Sequence, residues 1–457
     1  MPEATTIAAV ATPGGTGGIA VIRLSGPQAL PIADRIVSTA GAPPSHRPAG
    51  TFVYGRVHGP DAPEQTIDEA IVLIFRAPHS YTREDVVEIQ CHGGRAVSRR
   101  VLEAALAAGA EPAAPGEFTR RAFLNGRLDL VQAEAVMDLI RASSDQASEM
   151  AVQQLNGSLS NSFTDIYEHL ISLSGDLEAT LDFGDDELPA ATGAALLAGL
   201  EHVCAQIRAL LATWNEGHLL REGALVAICG RPNAGKSTLM NALLGCDRAI
   251  VTPLPGTTRD LLEEQVIIDG IPIRLVDTAG LRDTTCQIEQ AGIALAQQSL
   301  TRADVLLWVV DGSQTLSPDE LAFLQHRDPA RCVVVINKCD TPQVVNAQVF
   351  KKYATCHTSL RTGDGFPNVK HALLDRLGIL PGHAPHAAIA ARHRATLDAM
   401  LHELTTGSDL LTTAFDTHTV EAADCVRQAT VQLGELIGRR YTKDLLDNIF
   451  NRFCIGK

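Results

Sequence analysis

Apolar residues occur in two patterns along this chain, and the patterns divide it into four parts. Residues 1–125 contain short apolar runs separated by glycine- and proline-rich turns, which predicts a small α+β domain. In residues 126–221 and 381–457 the apolar residues recur every three or four positions, as on one face of a helix. Residues 222–380 alternate strand-like runs with helical stretches, which predicts an α/β domain. The predicted N-terminal strands are Ile19–Leu24, Thr51–Val57, Ala70–Phe75 and Val86–Gln90, followed by a helix at Ala96–Ala108.

The two helical blocks carry apolar stripes that would be exposed to water if each block stood alone. Because exposed stripes are costly, the blocks are predicted to pack together, which makes residues 222–380 an insertion between them. An acidic break between helices is predicted at Phe183–Glu187 and a hinge at Gly382–His386. The predicted stripes contain Leu130, Ala133, Val136, Met137 and Ile140; Leu170, Leu173, Leu177 and Leu181; and Leu397, Met400, Leu401 and Leu404.

A glycine loop lies between a strand and a helix in the α/β part. The apolar run Leu225–Ile228 precedes Gly230–Ser237, which fits the phosphate-loop pattern G-x-x-x-x-G-K-[ST], and a helix continues from Leu239. Such a loop binds phosphate through its backbone N–H groups and the helix N-terminus. Lys236 is predicted to reach the β- and γ-phosphates and Ser237 to ligate Mg²⁺. Since a chance glycine-rich turn would not require both flanking elements, the sequence predicts a nucleotide site.

Two later motifs specify the nucleotide. The strand Ile273–Val276 leads into Asp277–Gly280, a D-x-x-G turn whose aspartate can hold Mg²⁺ through water and whose glycine amide can sense the γ-phosphate. After the strand Val305–Val310, the strand Cys332–Ile336 ends in Asn337-Lys338-Cys339-Asp340, an N-K-x-D sequence. Its aspartate can accept hydrogen bonds from the guanine ring N–H and exocyclic amine, a pair of donors that adenine lacks. The sequence therefore predicts GTP as the ligand.

Composition and charge narrow the class of protein further. The chain has 457 residues, a formal net charge of −15 and 45% apolar residues. The negative charge argues against broad electrostatic adhesion to nucleic acid or anionic membranes, although it is compatible with a local basic groove. No run approaches the ~18 apolar residues of a membrane span, and no basic region precedes an apolar stretch as in a secretory signal. The ten cysteines form no C-x-x-C pair and are predicted to be reduced core residues of a cytoplasmic protein, with Cys454 as the exception.

Further motifs resemble those of a known family over essentially the whole chain. They are Ile19–Gly26, Cys91–Gly94, Gly116–Leu130 and the terminal Phe453–Lys457, together with the GTP motifs. On these residues the chain resembles the MnmE (TrmE) family of tRNA modification GTPases. By themselves, Cys91–Gly94 and Gly116–Arg127 would be interpreted as a turn and a capped helix start. The chain departs from the family pattern at Arg127, where lysine is usual, and at Arg83, where a small residue is usual.

The resemblance implies an N-terminal domain that binds 5-formyl- or 5,10-methylene-tetrahydrofolate and pairs two subunits. Its ligand contacts would be Arg23, Glu88, Arg127 and Lys457. The cations suit folate carboxylates or carbonyls, and Glu88 can accept hydrogen bonds from pterin N–H donors. Without the resemblance, Glu88 would be interpreted as an outward-facing strand carboxylate. Cys454 is a predicted catalytic thiol, and the alternative of a packed thiol stays open.

The resemblance also implies how GTP would be hydrolysed. The residue after the D-x-x-G turn is Leu281, which cannot orient water as the glutamine of Ras-like enzymes does. Glu289, acting through a bridging water, and Lys236 are therefore the predicted catalytic residues of the GTPase. Arg259 and Arg282 are either arginine-finger candidates or exposed switch-loop charges, and K⁺ is expected to do the work of the finger. The predicted K⁺ ligands are Asn233, Thr252, Leu254 and Thr257, and those of Mg²⁺ are Ser237 and Thr258.

With this resemblance the predicted GTP-binding set covers the phosphate loop, the following switch loop, the D-x-x-G turn and the base pocket, over which Ser359–Arg361 would close. It comprises Asn233, Ala234, Gly235, Lys236, Ser237, Thr238, Thr252, Pro253, Leu254, Pro255, Gly256, Thr257, Thr258, Asp277, Thr278, Ala279, Gly280, Asn337, Lys338, Asp340, Ser359, Leu360 and Arg361.

The family's reaction installs an aminomethyl-type group on C5 of the wobble uridine, position 34, of certain tRNAs. The resemblance implies a homodimer with a folate-binding head, a helical body and an inserted Ras-like GTPase domain, whose pairing with a second copy activates K⁺-stimulated hydrolysis. It implies a flavoprotein partner of the MnmG type that supplies FAD chemistry in a heterotetramer or larger complex, and a tRNA substrate, without a membrane. The alternative is a GTP switch that scaffolds ribosome or complex assembly without modification. The terminal cysteine motif and the folate-type head argue against it.

Overall fold

The computed structural model describes residues 5–182, 191–245, 263–277, 300–378 and 388–457. The chain divides into two compact units. The head unit comprises Met1–Met137 with Val431–Lys457, and the body unit comprises Asp138–Thr430. The four domain boundaries predicted from the sequence stay predictions.

The secondary structure alternates short strands with helices of very different lengths. The described strands are β1 (Ile7–Val10), β2 (Ile19–Ser25), β3 (Val37–Thr39), β4 (Thr51–Gly59), β5 (Ala62–Phe75), β6 (Val86–His92), β7 (Glu111–Pro112), β8 (Ala224–Gly230), β9 (Glu263–Ile268), β10 (Ile271–Asp277), β11 (Val305–Asp311), β12 (Cys332–Asn337) and β13 (Ala354–His357). The described α-helices are α1 (Ala29–Ile36), α2 (Arg95–Ala107), α3 (Glu117–Leu124), α4 (Leu130–Arg141), α5 (Asp145–Leu155), α6 (Ser158–Asp182), α7 (Ala191–Ala212), α8 (Trp214–Glu222), α9 (Lys236–Leu244), α10 (Pro318–Gln325), α11 (Phe366–Leu377), α12 (Ala391–Thr413), α13 (Phe415–Leu436) and α14 (Lys443–Phe450).

A seven-stranded sheet forms the centre of the head unit, in the order β3-β4-β5-β6-β2-β1-β7. Side chains alternate across each strand, so Ile22 and Leu24 of β2 are buried on one face, where α1 and α2 pack. The opposite face carries Arg23 of β2 directly beside Glu88 of β6, because the two strands pair antiparallel with these residues in register. The sheet thus brings together two side chains of the predicted folate site.

Some head elements have no counterpart in the sequence prediction. Strands β1, β3 and β7 are short, and helix α1 contains Pro31. Proline usually marks a break, but in the first turn of a helix its missing N–H costs nothing because that donor has no partner within the helix. Helix α1 therefore forms around a residue whose type argues against a helix.

Helices α6, α7 and α12 form the packed centre of the helical part of the body unit, with α7 against both neighbours. Leu170 and Leu177 of α6 and Leu397 and Met400 of α12 are fully buried. Since α12 packs on α7, the two helical blocks pack together as predicted. The predicted acidic break and hinge lie outside the described residues.

The prediction that the apolar stripes are covered was wrong at two positions, Ile140 and Leu181. Ile140, near the end of α4, is 43% exposed, and Leu181, near the end of α6, is 44% exposed. Helical periodicity determines which residues share a face, but not how far along the helix a neighbour covers that face.

A second sheet, of six strands in the order β13-β12-β11-β8-β10-β9, lies in the body unit. Its strands pair in parallel except β9, which is antiparallel to β10. Alternate residues of β8 enter different cores, with Val226 and Ile228 on one face and Ala227 and Cys229 on the other. A parallel sheet with both faces covered is the α/β architecture predicted for this part. Its binding crevice lies outside the carboxyl ends of the strands.

Candidate functional site

The phosphate loop connects β8 to α9 and depends on two glycines. Gly230 and Gly235 have φ angles of +145° and +109°, which residues with a side chain rarely adopt. A Cβ atom on Gly230 would lie 2.2 Å from the carbonyl oxygen of Val309, and one on Gly235 would lie 2.2 Å from Nδ2 of Asn337. Both positions therefore exclude any larger residue, and the loop lies tight against two neighbouring strands.

Lys236 begins helix α9 and is buried, with 7% of its surface exposed. Its ammonium donates a 2.7 Å hydrogen bond to the backbone carbonyl of Arg231, which belongs to the phosphate loop itself. This contact holds the charge over the loop, where a phosphate would lie. The N-terminus of α9 adds the partial positive charge of its exposed N–H groups.

The remaining phosphate-site residues follow the same edge of the sheet. Asp277 ends β10 and pairs with Ile228 of β8, so it lies one strand away from the phosphate loop. Ser237 and Thr238 are exposed in the first turn of α9, and Asn233 is exposed in the loop with a φ of +62°. Other predicted residues lie outside the described residues: Thr252, Pro253, Leu254, Pro255, Gly256, Thr257, Thr258, Thr278, Ala279, Gly280 and Glu289.

The predicted base pocket is assembled from two loops. Asp340 accepts a 2.7 Å hydrogen bond from the Ser359 hydroxyl at Oδ1, and its Oδ2 lies 2.8 Å from Nη2 of Arg361. The hydrogen bond from Ser359, helped by the charges of Arg361 and Lys338, holds the pKa of the Asp340 carboxyl below its usual value. The group is therefore a carboxylate at neutral pH, which is the form that accepts both guanine donors.

Lys338 is positioned by a second carboxylate. Its ammonium lies 2.5 Å from Oδ2 of Asp311, which ends β11. Burial tends to raise the pKa of Asp311, but hydrogen bonds from Lys338 and Ser313 outweigh it and the pKa is lowered. This ion pair holds the lysine stem at the edge of the predicted base pocket.

Asn337 joins the two halves of the nucleotide site. Its Nδ2 donates a 2.8 Å hydrogen bond to the carbonyl of Ala234 in the phosphate loop, and its Oδ1 accepts a 3.1 Å hydrogen bond from the Leu360 amide. The side chain is 4% exposed. The N-K-x-D motif predicts that Asn337 binds GTP but not that it forms this bridge, because residue order does not show which loops meet.

A second cluster lies in the head unit, around Arg23. Arg23 Nε is 2.8 Å from Oε1 of Glu88, and Arg23 Nη1 donates a 3.3 Å hydrogen bond to the carbonyl of Gly456. Both side chains of the ion pair are mostly buried, with 14% and 18% exposed. Lys457 joins them, since burial and the charge of Arg23 lower the pKa of its ammonium while Glu88 opposes the shift. Three of the four predicted folate contacts thus form one cluster.

The C-terminal residues reach this cluster because they dock on the head sheet. The Phe118 amide donates a 3.2 Å hydrogen bond to the Lys457 carbonyl. Gly456 has a φ of +94°, and a Cβ there would lie 2.5 Å from the Val10 carbonyl oxygen. The terminal motif therefore requires glycine to pass close to β1. Cys454 is exposed, so its thiol is accessible rather than packed.

Arg127, the fourth predicted folate contact, is linked to the cluster around Arg23 by an aromatic ring that both arginines contact. The Arg127 guanidinium lies 4.6 Å from the centre of the Tyr81 ring, and that of Arg23 lies 5.4 Å from it. Nothing in the sequence singles out Tyr81, which no motif contains. The fold makes it the link between Arg127 and the cluster around Arg23.

Two other features of the described residues bear on the sequence predictions. Cys229 and Cys332 are buried as predicted, and burial raises the pKa of Cys332 to about 12, so its thiol is unreactive. One helical segment, Gly193–Glu222, is long and apolar enough by composition to span a membrane, and 28% of its most apolar 18-residue window is buried. A single segment of this kind is weak support for a span, because core helices also meet the criterion.

A phosphate loop, a following aspartate and an N-K-x-D base loop, arranged along one edge of a parallel sheet, define a guanine-nucleotide-binding protein of the Ras-like class. Two family models match the chain: GTP-binding protein TrmE N-terminus over residues 6–127, and MnmE helical domain over residues 130–454. The chain belongs to the MnmE family of tRNA modification GTPases.

Full-length relatives support this assignment. Proteins named tRNA modification GTPase MnmE are 43% identical over 460 residues in Geobacter sulfurreducens and 44% identical over 461 residues in Chloroflexus aurantiacus. A third, from Symbiobacterium thermophilum, is 42% identical over 458 residues. Each alignment covers 99% of this chain and 99% of the relative. The predicted family, fold class and GTPase enzyme are thereby confirmed.

Proposed function

We propose that this chain hydrolyses GTP while it modifies C5 of the wobble uridine, position 34, of certain tRNAs, using a tetrahydrofolate one-carbon unit. Family membership supports the GTPase and tRNA parts of the proposal. The observation that carries the folate part is the cluster of Arg23, Glu88 and Lys457 in the head unit. These residues lie far apart in the sequence, and the fold places them together on one face.

The chemistry of this cluster suits a reduced folate. Glu88 can accept hydrogen bonds from the pterin N–H donors, and Arg23 already holds it in place through Oε1. The ammonium of Lys457 and the guanidinium of Arg127 are cations for folate carbonyl or carboxylate oxygens. When bound, the folate would supply the one-carbon unit. The protein's part is to orient it, with the Tyr81 ring as a surface that both guanidinium groups contact.

The nucleotide site suits GTP with Mg²⁺. Ser237 presents a hydroxyl at the start of α9, and Asp277 places a carboxylate at the end of the adjacent strand. Hard oxygen ligands of this kind are those Mg²⁺ prefers. Asn233 would be one ligand of K⁺, whose charge would stabilise the negative charge that develops between the phosphates. Glu289 would position the attacking water, since Leu281 has no polar group to do so.

The head sheet also supports a homodimer. Four apolar or aromatic side chains are exposed on its face: Ile19 at 63%, Phe52 at 70%, Tyr54 at 59% and Ile71 at 42%. They lie on the face that carries Arg23 and Glu88, opposite to the one covered by α1 and α2. An exposed apolar patch of this kind marks an interaction surface. A flavoprotein of the MnmG type would be a further partner, and the net charge of −15 is consistent with the partner carrying much of the tRNA-binding surface.

Calorimetry with 5-formyl-tetrahydrofolate tests the folate assignment. Arg23→Ala and Glu88→Ala should each weaken folate binding by about tenfold or more, since each leaves a partly buried charge without its partner. GTP turnover should be unchanged, because the nucleotide site lies in the body unit. Arg56→Ala is the matched control, since Arg56 forms an exposed ion pair with Glu69 on the same sheet.

Cells that lack this chain, complemented with the wild type or a variant, test the proposed reaction. Mass spectrometry of tRNA from cells that lack this chain should show unmodified wobble uridine, and the wild-type gene should restore the modification. Arg23→Ala should not restore it. If Arg23→Ala and Glu88→Ala both bind folate as tightly as the wild type, the cluster does not bind folate. If the wobble uridines are still modified in cells that lack this chain, the proposed function is wrong.

A further inference from the structure

An open cleft in the head unit lies beside the cluster around Arg23 and is not explained by the contacts described so far. Its volume is about 520 Å³. Small-molecule pockets usually fall between about 300 and 1,000 Å³. The cleft is lined by Phe75, Pro78, His79, Ser80, Tyr81, Arg83 and Arg127.

The walls of the cleft are two loops tied together by three hydrogen bonds. Arg83 Nη1 donates to the Asn125 carbonyl at 3.0 Å, and Arg127 Nη1 donates to the Tyr81 carbonyl at 3.1 Å. Asn125 Nδ2 donates in turn to the Thr82 carbonyl at 2.6 Å. Backbone carbonyls, which carry no charge, thus hold the two arginines in position. Each guanidinium has further N–H groups that can donate hydrogen bonds to a ligand.

Both positive charges line the same cleft. A Cβ built on Gly126 would be 3.4 Å from Arg83 Nη1, so this guanidinium rests on the residue next to Arg127. Within the described part of the chain, neither Arg83 nor Arg127 forms an ion pair with a carboxylate. Exposed His79 adds a third group that can carry positive charge. The cleft is therefore suited to an anionic ligand.

Arg83 occupies a backbone conformation that disfavours it. Its φ is +60°, a region that residues with a side chain other than Asn or Asp rarely adopt. Glycine would fit without strain, so the arginine costs stability at this position. Strain of this kind persists where the surroundings enforce it and often accompanies a functional site.

Tyr81 belongs both to the lining of the cleft and to the proposed folate site, so the cleft lies at one end of that site. Arg127 lies against the Tyr81 ring from the cleft, and Arg23, which holds Glu88, contacts the same ring. A folate whose pterin is held at Glu88 would extend past Tyr81 towards Arg127. Its first glutamate would then lie at Arg127, and further glutamyl units would extend along the cleft to Arg83.

We propose that this cleft binds the γ-linked glutamate tail of a polyglutamylated folate, with Arg83 as the residue that distinguishes long tails from a single glutamate. Each added glutamyl unit brings one more carboxylate, which a fixed guanidinium binds well. This inference rests on the proposed folate function. Phosphate groups of RNA present a similar charge, but the continuity of the cleft with the cluster around Arg23 favours the folate tail.

Calorimetry with two probes tests the inference: 5-formyl-tetrahydrofolate with one glutamate and with three. The full-length wild-type protein should bind the triglutamate about three- to tenfold more tightly, as expected for one or two added exposed charge contacts. Arg83→Ser should remove this difference and leave the monoglutamate affinity unchanged. Arg83→Gly, which also relieves the backbone strain, should do the same while raising stability.

The control is Arg100→Ser, an exposed arginine of α2 outside the cleft, which should keep the full preference. Equal wild-type affinities for the two probes would overturn this inference and leave the proposed function standing, whereas no binding of either probe would overturn both. If Arg83→Ser lowers tRNA affinity while the triglutamate preference persists, the cleft contacts RNA phosphate and the inference is wrong.

Discussion

The side-chain amide of Asn337 donates a 2.8 Å hydrogen bond to the backbone carbonyl of Ala234, so the base loop and the phosphate loop of the nucleotide site are directly joined. The same side chain accepts a hydrogen bond from Leu360. One buried residue therefore sets the distance between the place where the base is recognised and the place where the phosphates bind.

Asn337→Ala should destabilise the protein and weaken nucleotide binding together. The change leaves the buried Ala234 carbonyl and the partly buried Leu360 amide without this partner, at a cost of about 1–3 kcal/mol. The loosened loops should lower GDP affinity by about tenfold. Chemical denaturation and calorimetry measure the two effects. Asn368→Ala, at an exposed position in α11, is the control. Unchanged GDP affinity in Asn337→Ala would mean that the bridge does not organise the site.

Asp340→Asn should shift the preferred base from guanine to xanthine. The amide can donate to the 2-oxo group of xanthine, whereas the carboxylate accepts from the guanine amine. The pKa of Asp340 is lowered, so wild-type preference for GTP should persist down to mildly acidic pH. Competition between GTP and XTP in a hydrolysis assay measures the shift. Asp364→Asn, in the loop that carries Ser359, should leave the base preference unaltered. An unaltered preference in Asp340→Asn would show that Asp340 does not recognise the base.

Glu289→Ala should bind GTP normally yet hydrolyse it about 10²- to 10³-fold more slowly, the usual loss for one positioning contact. The reason is chemical: Leu281 has no group that could orient water in its place. Single-turnover hydrolysis with saturating GTP separates this effect from binding. A Glu289→Ala protein as fast as the wild type would show that another residue positions the water.

Hydrolysis should need K⁺ and slow down in Na⁺, because the smaller ion fits poorly among oxygens spaced for K⁺. Asn233→Ala should reduce this difference more than it reduces nucleotide affinity. Matched assays in KCl and NaCl, at one ionic strength, measure both quantities. Equal wild-type rates in the two salts would exclude a specific K⁺ site.

Folate affinity should fall as the pH rises through the pKa of Lys457. Burial and the charge of Arg23 lower that pKa, so the ammonium loses its proton at a lower pH than the ~10.4 of an exposed lysine. An anionic or carbonyl ligand prefers the protonated form, and its affinity is therefore highest below the pKa. Lys457→Gln should bind more weakly and lose this pH dependence, while Lys443→Gln, an exposed lysine of α14, should retain it. If the folate affinity of Lys457→Gln still falls as the pH rises, the titrating group belongs to the folate and not to Lys457.

Much of the nucleotide site could be predicted because its chemistry is local in the chain. The phosphate loop is a strand, a glycine turn and a helix in immediate succession, and Gly230 and Gly235 mark the backbone positions that only glycine can occupy. The strand periodicity placed Asn337 and Asp277 at strand ends, where parallel strands bring them to one edge. Residue type and short-range order are enough for such features, because the backbone geometry they require is set within a few residues.

Contacts between distant segments depended on the tertiary structure. Antiparallel register places Arg23 beside Glu88, and docking of the C-terminal residues brings Lys457 to the same cluster. Tyr81, which links the cluster to Arg127, belongs to no motif. The exposure of Ile140 is likewise a property of the packed structure that its helical periodicity does not give. A pattern along the chain determines which residues share a face. Which other segment packs against that face depends on the energy of packing the whole chain.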